Sequence, residues 1–174
     1  LFFLMIRRSS RSTVDRWSGA SDVYKRQGND SEDATYNTGL TVTSDFVITK
    51  STSTMSWYIW SSVLPSATNY LKFDTSGQNT TYTPLYPTNP VSGGAGVFKI
   101  GSDQGVNEST KSYIAYHFAN INKYQKIGTY DGNGLSTGNM VTTGFEPAWL
   151  MVKESRRITL ELKHMAQLMS LIQY

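Results

Sequence analysis

The 174-residue chain contains no cysteine. That excludes a disulfide framework and any thiolate metal site, and it leaves the redox compartment unread. Charge is also scarce, at 17% Asp, Glu, Lys and Arg, and arginine is missing from a long internal stretch: Arg7, Arg8, Arg11, Arg16, Arg26, Arg156 and Arg157 all lie in the flanks. Residues 28–152 carry six lysines against nine acidic groups, a net −3, although the whole chain is +3. A basic face would have to come from the body of the fold, so no nucleic-acid partner is expected. No apolar run approaches the roughly 18 residues that span a bilayer, and no membrane partner is expected either.

What is present is aromatic and β-branched. Aromatic residues make up 13% of the chain, distributed over short runs separated by Gly, Pro, Ser, Thr and Asn, which is the pattern of an all-β antiparallel sandwich. Phe46-Val47-Ile48 is the first such run. In Met55–Trp60, Met55, Trp57 and Ile59 share one strand face and Tyr58 and Trp60 the other. Asn69–Thr75 alternates, with Leu71 and Phe73 expected inward and Tyr70, Lys72 and Asp74 outward. Residues 76–96 hold three prolines and Gly93-Gly94 and read as a long loop with at most an edge strand near Thr81–Leu85. Val97–Ile100 and Tyr113–Phe118 complete the set, the latter with Ile114, Tyr116 and Phe118 opposed to Tyr113, Ala115 and His117.

The two ends look foreign to this pattern. Residues 1–27 begin with a short apolar run that precedes its arginines, the wrong order for a secretory signal. The segments FFLMIRRSSRST and ASDVYKRQ resemble translated sequencing-adapter sequence, and we expect a foreign or disordered leader there. At the other end, Leu160, Leu162, Met165, Leu168, Met169 and Ile172 follow helical spacing. Residues 156–174 therefore read either as a C-terminal helix packed on the sandwich or as a frameshifted, non-native tail.

Internal comparison aligns Val42–Lys50 without gaps against Phe145–Lys153, and a repeat of this size matches one sandwich unit. On that reading 28–122 form one unit and 123–155 begin a second, truncated one.

The segments W-Y-I-W (57–60), A-T-N-Y-L-K-F-D-T (67–75), Y-I-A-Y-H-F-A (113–119), K-Y-Q-K-I-G-T-Y-D-G-N-G (123–134) and T-G-F-E-P-A-W-L-M-V-K (143–153) together resemble a family of repeated domains in virion proteins of marine tailed phages. These domains are similar to concanavalin-type (lectin/glucanase) jelly rolls. The resemblance implies a jelly-roll sandwich and a non-enzymatic structural or adhesion module of a tail-fibre-like virion protein. The implied partners are other virion subunits or neighbouring repeats and host-surface glycans, and the implied location is the virion. It brings no catalytic or ligand residues with it. Where the family often has Cys in the Y-x-A-Y-x-F strand this chain has His117, and the pattern stops after Ser155. The alternatives are a bacterial secreted or cell-surface lectin-like domain and a fragment of a polysaccharide-degrading enzyme.

No residue pattern carries catalysis. His117 is mid-strand and far from any nucleophile motif, so a hydrogen-bonded core histidine is expected, and His164 lies in the doubtful tail. A glycosidase needs two carboxylates across a cleft; Asp103, Glu108, Asp131 and Glu146 lie in turns, and the E-x-D-x-x-E strand of jelly-roll glucanases is absent. Asp131-Gly132-Asn133-Gly134 opens like a calcium loop, but its twelfth position is Thr142, so a glycine-fixed turn is expected, with no metal and no cofactor. Asn79-Thr80-Thr81 and Asn107-Glu108-Ser109 match the glycosylation pattern at the rate expected by chance in such loops. The remaining candidates are aromatic rings for sugar stacking: Trp60, Tyr70, Tyr82 and Tyr86, placed on the outward face or in the long loop.

Overall fold

A computed structural model of the chain describes residues 2–7, 21–75 and 80–155. These residues are all-β: β1 Phe2–Arg7, β2 Ser21–Gln27, β3 Ala34–Asn37, β4 Phe46–Ser51, β5 Trp57–Ser61, β6 Asn69–Lys72, β7 Thr80–Thr81, β8 Val97–Ile100, β9 Ser112–Phe118, β10 Gln125–Thr129 and β11 Pro147–Lys153. Among the described residues no helix is long and apolar enough to cross a membrane. The helical reading of 156–174, His164 and the leader segment 8–20 fall outside the described residues.

The centre is a six-stranded sheet in the order β2-β9-β4-β5-β6-β7, antiparallel throughout. Both of its faces are covered, which is why β4 and β5 read as near-continuous apolar runs and not as an apolar/polar alternation. On one face, Val47, Tyr58 and Trp60 pack with Leu85, Tyr86, Phe98, Ile100 and Val106. On the other, Phe46, Ile59 and Leu71 pack with Leu4, Leu64 and Ile127.

The cover over the first face is the β3–β8 pair extended by the long loop. Loop and strand are tied by backbone bonds from Lys99 N–H to the Pro90 carbonyl (2.7 Å) and from Gly101 N–H to the Leu85 carbonyl (3.1 Å). The loop is thereby held against the free edge of β8, and Leu85 and Tyr86 are delivered into the core. Over the second face lies a three-stranded sheet in the order β10-β1-β11. The molecule is therefore an antiparallel β-sandwich with a third layer.

Three expectations change. Phe73, expected inward, lies beyond the end of β6 in a turn and is 45% exposed, tilted against the equally peripheral Trp57 with ring centroids 6.4 Å apart. The polar stretch after Gly28 contains a strand, β3, whose Tyr36 the core uses. The edge strand sought near Thr81–Leu85 is the two-residue β7, paired with β6 through Tyr70 and Asn69.

The leader contributes two strands, β1 in the third layer and β2 along β9. The two segments aligned in the internal comparison lie in different sheets. β4 is flanked on both sides, by β5 and β9, whereas β11 pairs only with β1 among the described strands. The expected boundary at 122/123 falls inside a tight turn. There Ile121 and Gln125 exchange backbone bonds of 3.0 and 2.9 Å, and Lys123 takes the left-handed conformation at φ 65°. Asn120 Oδ1 accepts the Ile127 N–H at 2.7 Å, so β10 leaves β9 already anchored over the central sheet.

Candidate functional site

Alternation on β9 sends His117 into the first core, where it is fully buried. Ser44 Oγ lies 2.9 Å from its Nδ1 and Tyr36 Oη 3.0 Å from its Nε2. The ring also meets the edges of Tyr36 and Phe98, at 5.5 and 5.2 Å between centroids. Both ring nitrogens have a hydroxyl partner, and in the neutral imidazole one of them donates and the other accepts. Burial, and then the nearby Arg26 charge, push its pKa down to about 3. A Ser–His–Tyr trio of this kind looks like a nucleophile and base, yet no solvent reaches it and each ring nitrogen already has a hydroxyl partner. The expectation of a hydrogen-bonded core histidine agrees with this placement.

Arg26 lies beside the trio on β2. Its guanidinium sits 5.2 Å from the Tyr36 ring centroid and 5.0 Å from that of Tyr113. It donates to Asn107 Oδ1 at 2.9 Å and to the Val106 carbonyl. Asn107 is itself fully buried, and its amide nitrogen donates to Asn29 Oδ1 and the Ser31 carbonyl at 2.9 and 3.0 Å. The glycosylation pattern at Asn107 is thus a buried structural amide; Asn79 lies outside the described residues.

The sugar-stacking candidates separate into two pairs. Trp60 and Tyr86 are corrections: they are 2% and 0% exposed, because the loop and the β3–β8 pair cover the face on which they were expected to meet solvent. Trp60 Nε1 donates to the Ala67 carbonyl at 2.8 Å, and both rings meet Phe98 edge-on, at 5.3 and 6.2 Å. Tyr70 is half-buried against the same core, 5.8 Å from Tyr58. Only Tyr82 is open, at 44%. The structure does not bring the four together as a platform.

It does form a cleft elsewhere, of about 360 Å³, on the outer side of the cover layer. Its polar lining comes from Glu32, Asp33, Thr88, Asn89, Lys99 and Ser102, with Pro84 and Pro87 as rigid walls. Asp33 holds a left-handed backbone (φ 55°) in the turn just before β3, a conformation that Asp tolerates better than most residues. Gly101 forms part of the floor. A Cβ at that position would stand 1.9 Å from the Pro84 carbonyl oxygen, so the close approach of loop and strand requires glycine.

These residues went unnoticed in the sequence because no motif joins them. The only available signal was a long proline-rich loop, since such loops are either functional or disordered. The carboxylates singled out instead are engaged locally: Asp103 Oδ1 accepts the Gly105 N–H at 2.7 Å, and Glu108 pairs with Lys111 at 2.5 Å. Asp131 and Glu146 stand exposed in the β10–β11 connection. In that connection Asn133 Oδ1 accepts the Leu135 N–H at 3.1 Å, and Gly134 takes φ 68°, the geometry of a turn. Among the described residues there is no group of three or more His, Cys, Asp or Glu that could hold a metal ion.

Fold and cleft together define an antiparallel β-sandwich whose cleft mixes polar side chains with proline walls and whose one central histidine is sealed in its core. The family described as a domain of unknown function (DUF7483) matches residues 8–161, and the chain belongs to that family. The match takes in most of the leader. No curated protein and no solved structure matches the chain.

Proposed function

We propose that this protein is a non-enzymatic structural and adhesion module of a phage virion, of the tail-fibre kind, which holds host-surface carbohydrate weakly in the cleft between the long loop and β8. The observation that carries the adhesion part is the lining of that cleft. Two carboxylates, an amide, three hydroxyls and an ammonium line a space large enough for one or two sugar rings. Such groups donate to and accept from ring hydroxyls. Tyr82, next in the chain to Thr83 on the cleft wall, is an exposed ring. The virion setting rests on the sequence resemblance. The non-enzymatic reading draws support from the burial of His117, each of whose ring nitrogens already has a hydroxyl partner. Low single-site affinity suits a module displayed in many copies, where avidity supplies the strength.

A glycan array probed with the full chain, multimerised on a tetrameric carrier, tests this reading. Binding to a subset of glycans that disappears in Asp33→Ala and Asn89→Ala is the expected result. Absence of binding to every glycan would leave only a spacer role, and release of reducing ends from a bound polysaccharide would overturn the non-enzymatic reading. Genes for capsid or tail proteins beside the coding sequence are expected; their replacement by bacterial secretion genes would move the module to a cell surface.

A further inference from the structure

Alone among the described asparagines, Asn133 is followed by glycine. The pair stands exposed in the connection between β10 and β11. Asn133 Oδ1 accepts the Leu135 N–H at 3.1 Å, and Asn133 Nδ2 donates to the Thr137 carbonyl at 3.0 Å. The first of these bonds is an Asx turn, which folds the carboxamide back over the peptide that follows it. The nitrogen of that peptide belongs to Gly134. Among the described residues its N–H has no acceptor, so the proton is open to water. Gly134 holds φ 68°, and it presents no side chain to hinder an approach between its nitrogen and Asn133 Cγ.

No other described asparagine combines these features. Asn89 precedes Pro90, whose nitrogen carries no hydrogen. Asn107 is fully buried, and the Glu108 N–H after it is held by the Tyr113 hydroxyl at 2.9 Å. Asn69 is buried between β-strand neighbours. Asn139 is exposed in the same connection as Asn133, but Met140 follows it and places a side chain beside the nitrogen that would have to move.

We propose that Asn133 is a self-modification site, at which the folded chain converts its own amide to a carboxylate. Hydroxide or water takes the Gly134 amide proton, and the nitrogen attacks Asn133 Cγ. The new N–Cγ bond closes a five-membered succinimide, the Cγ–Nδ2 bond breaks, and Nδ2 takes a proton from water and leaves as ammonia. The negative charge that develops on Oδ1 during the attack meets the Leu135 N–H, a donor already in place. Water then opens the ring. Opening at Cγ leaves aspartate; opening at the main-chain carbonyl leaves isoaspartate, with the chain running through Cγ and lengthened by one methylene. Either product adds one negative charge near Asp131 and removes the donor that holds the Thr137 carbonyl, so the β10–β11 connection exists in an older and a younger form. This inference does not depend on glycan binding.

The test is an incubation of the full chain in native buffer at pH 8, with a parallel sample unfolded in urea, followed by trypsin digestion and mass spectrometry. Cleavage after Lys126 and Lys153 releases one peptide that carries both Asn133 and Asn139, so the second serves as an internal control for the first. In the folded chain the amide-to-acid mass shift is expected at position 133, several-fold faster than at Asn139 or Asn107, faster at pH 8 than at pH 7, and with isoaspartate among the products in electron-transfer fragmentation. Isoelectric focusing of the intact protein should show an acidic form growing at the same rate. Gly134→Ala, whose added Cβ meets nothing within 4 Å, and Asn133→Gln, whose ring would have six members, should both slow the conversion several-fold. Conversion at 133 no faster than at Asn139 in the folded chain would overturn the proposal. So would conversion confined to the urea sample, because the folded turn would then protect the amide, and so would an unchanged rate in both variants.

Discussion

Protonation of His117 is expected to be the main source of acid lability in this fold, and its size follows from the structure. In the folded chain the imidazole is buried between Ser44 and Tyr36 near the Arg26 charge, and its pKa is held down to about 3. In the unfolded chain it returns to about 6.5. Between these values only the unfolded chain binds the proton, so stability is fully present above pH 6.5 and is lost as pH falls toward 3. Cooling effects and salt aside, moving from pH 7 to pH 5 removes about 2 kcal/mol from this group alone. That figure is set almost wholly by the unfolded pKa, because the folded imidazole stays neutral at both pH values. With a urea dependence of about 2 kcal/mol per molar, the unfolding midpoint should fall by about 1 M. Surface carboxylates add their own slope, so the measurement is a comparison of urea midpoints at pH 7 and pH 5 for the native chain and His117→Gln, whose amide does not titrate. The variant starts lower, by about 1–3 kcal/mol for the disturbed hydroxyl partners, but its midpoint should lose about 1 M less across the same interval. Parallel losses in the two proteins would refute the reasoning. So would a nitrogen-detected imidazole spectrum in which the His117 ring is charged at pH 5 in the folded state.

The tyrosines act with the opposite sign. Burial raises the Tyr36 and Tyr86 phenols well above 10, so their contribution is intact below pH 10 and is lost as pH rises beyond it, and thermal unfolding at pH 11 should come at a lower temperature in the native chain than in Tyr86→Phe relative to each protein's own value at pH 8. Phe98→Ala removes the ring against which Trp60, Tyr86, Tyr36 and His117 all pack and should cost about 3–5 kcal/mol by urea denaturation. Gly101→Ala should cost about 1–3 kcal/mol, because its Cβ meets the Pro84 carbonyl backbone and not a mobile side chain. Tyr82→Ala should change stability by less than about 0.5 kcal/mol, whereas Trp60→Ala should cost several; equal effects from the two would contradict their exposures of 44% and 2%.

The strands of the central sheet were legible because their residues are. Phe46-Val47-Ile48 and Trp57–Trp60 are β-branched and aromatic on both faces, and the opposed sets on β9 separate in the structure as the alternation implied. Three features were not legible, each for a physical reason. The exposure of an aromatic depends on what covers it, and the covering of Trp60 and Tyr86 by a proline-rich loop is a tertiary event without a local signature. β3 was hidden because Ala34-Thr-Tyr-Asn37 has one large side chain, and its pairing with β8 is what makes it a strand. The cleft residues come from three segments that meet only because β3 pairs with β8 and Lys99 and Gly101 bond to the loop backbone. Composition marked 1–27 as foreign, whereas backbone pairing incorporates two parts of it; arginine usage and strand formation report different things about the same residues.

The placement of the cleft relative to the buried trio also follows from one alternation. β8 turns Phe98 and Ile100 into the core and Lys99 outward to the cleft, and the turn carrying Glu32 and Asp33 runs directly into β3, whose Tyr36 hydrogen-bonds His117. Every polar group offered to a ligand is thus one or a few residues from a side chain fixed by close packing. A surface built on loops alone would have to be ordered by its ligand, at about 0.5–1.5 kcal/mol for each immobilised side chain. Here the ring cluster around Phe98 has already borne that ordering when the chain folds. The polar trio adds directionality to the packing, since Tyr36 and Ser44 can both be satisfied by the imidazole in only one orientation of β3 over the central sheet. A neutral, inaccessible histidine therefore holds in register the layer on which the cleft is formed.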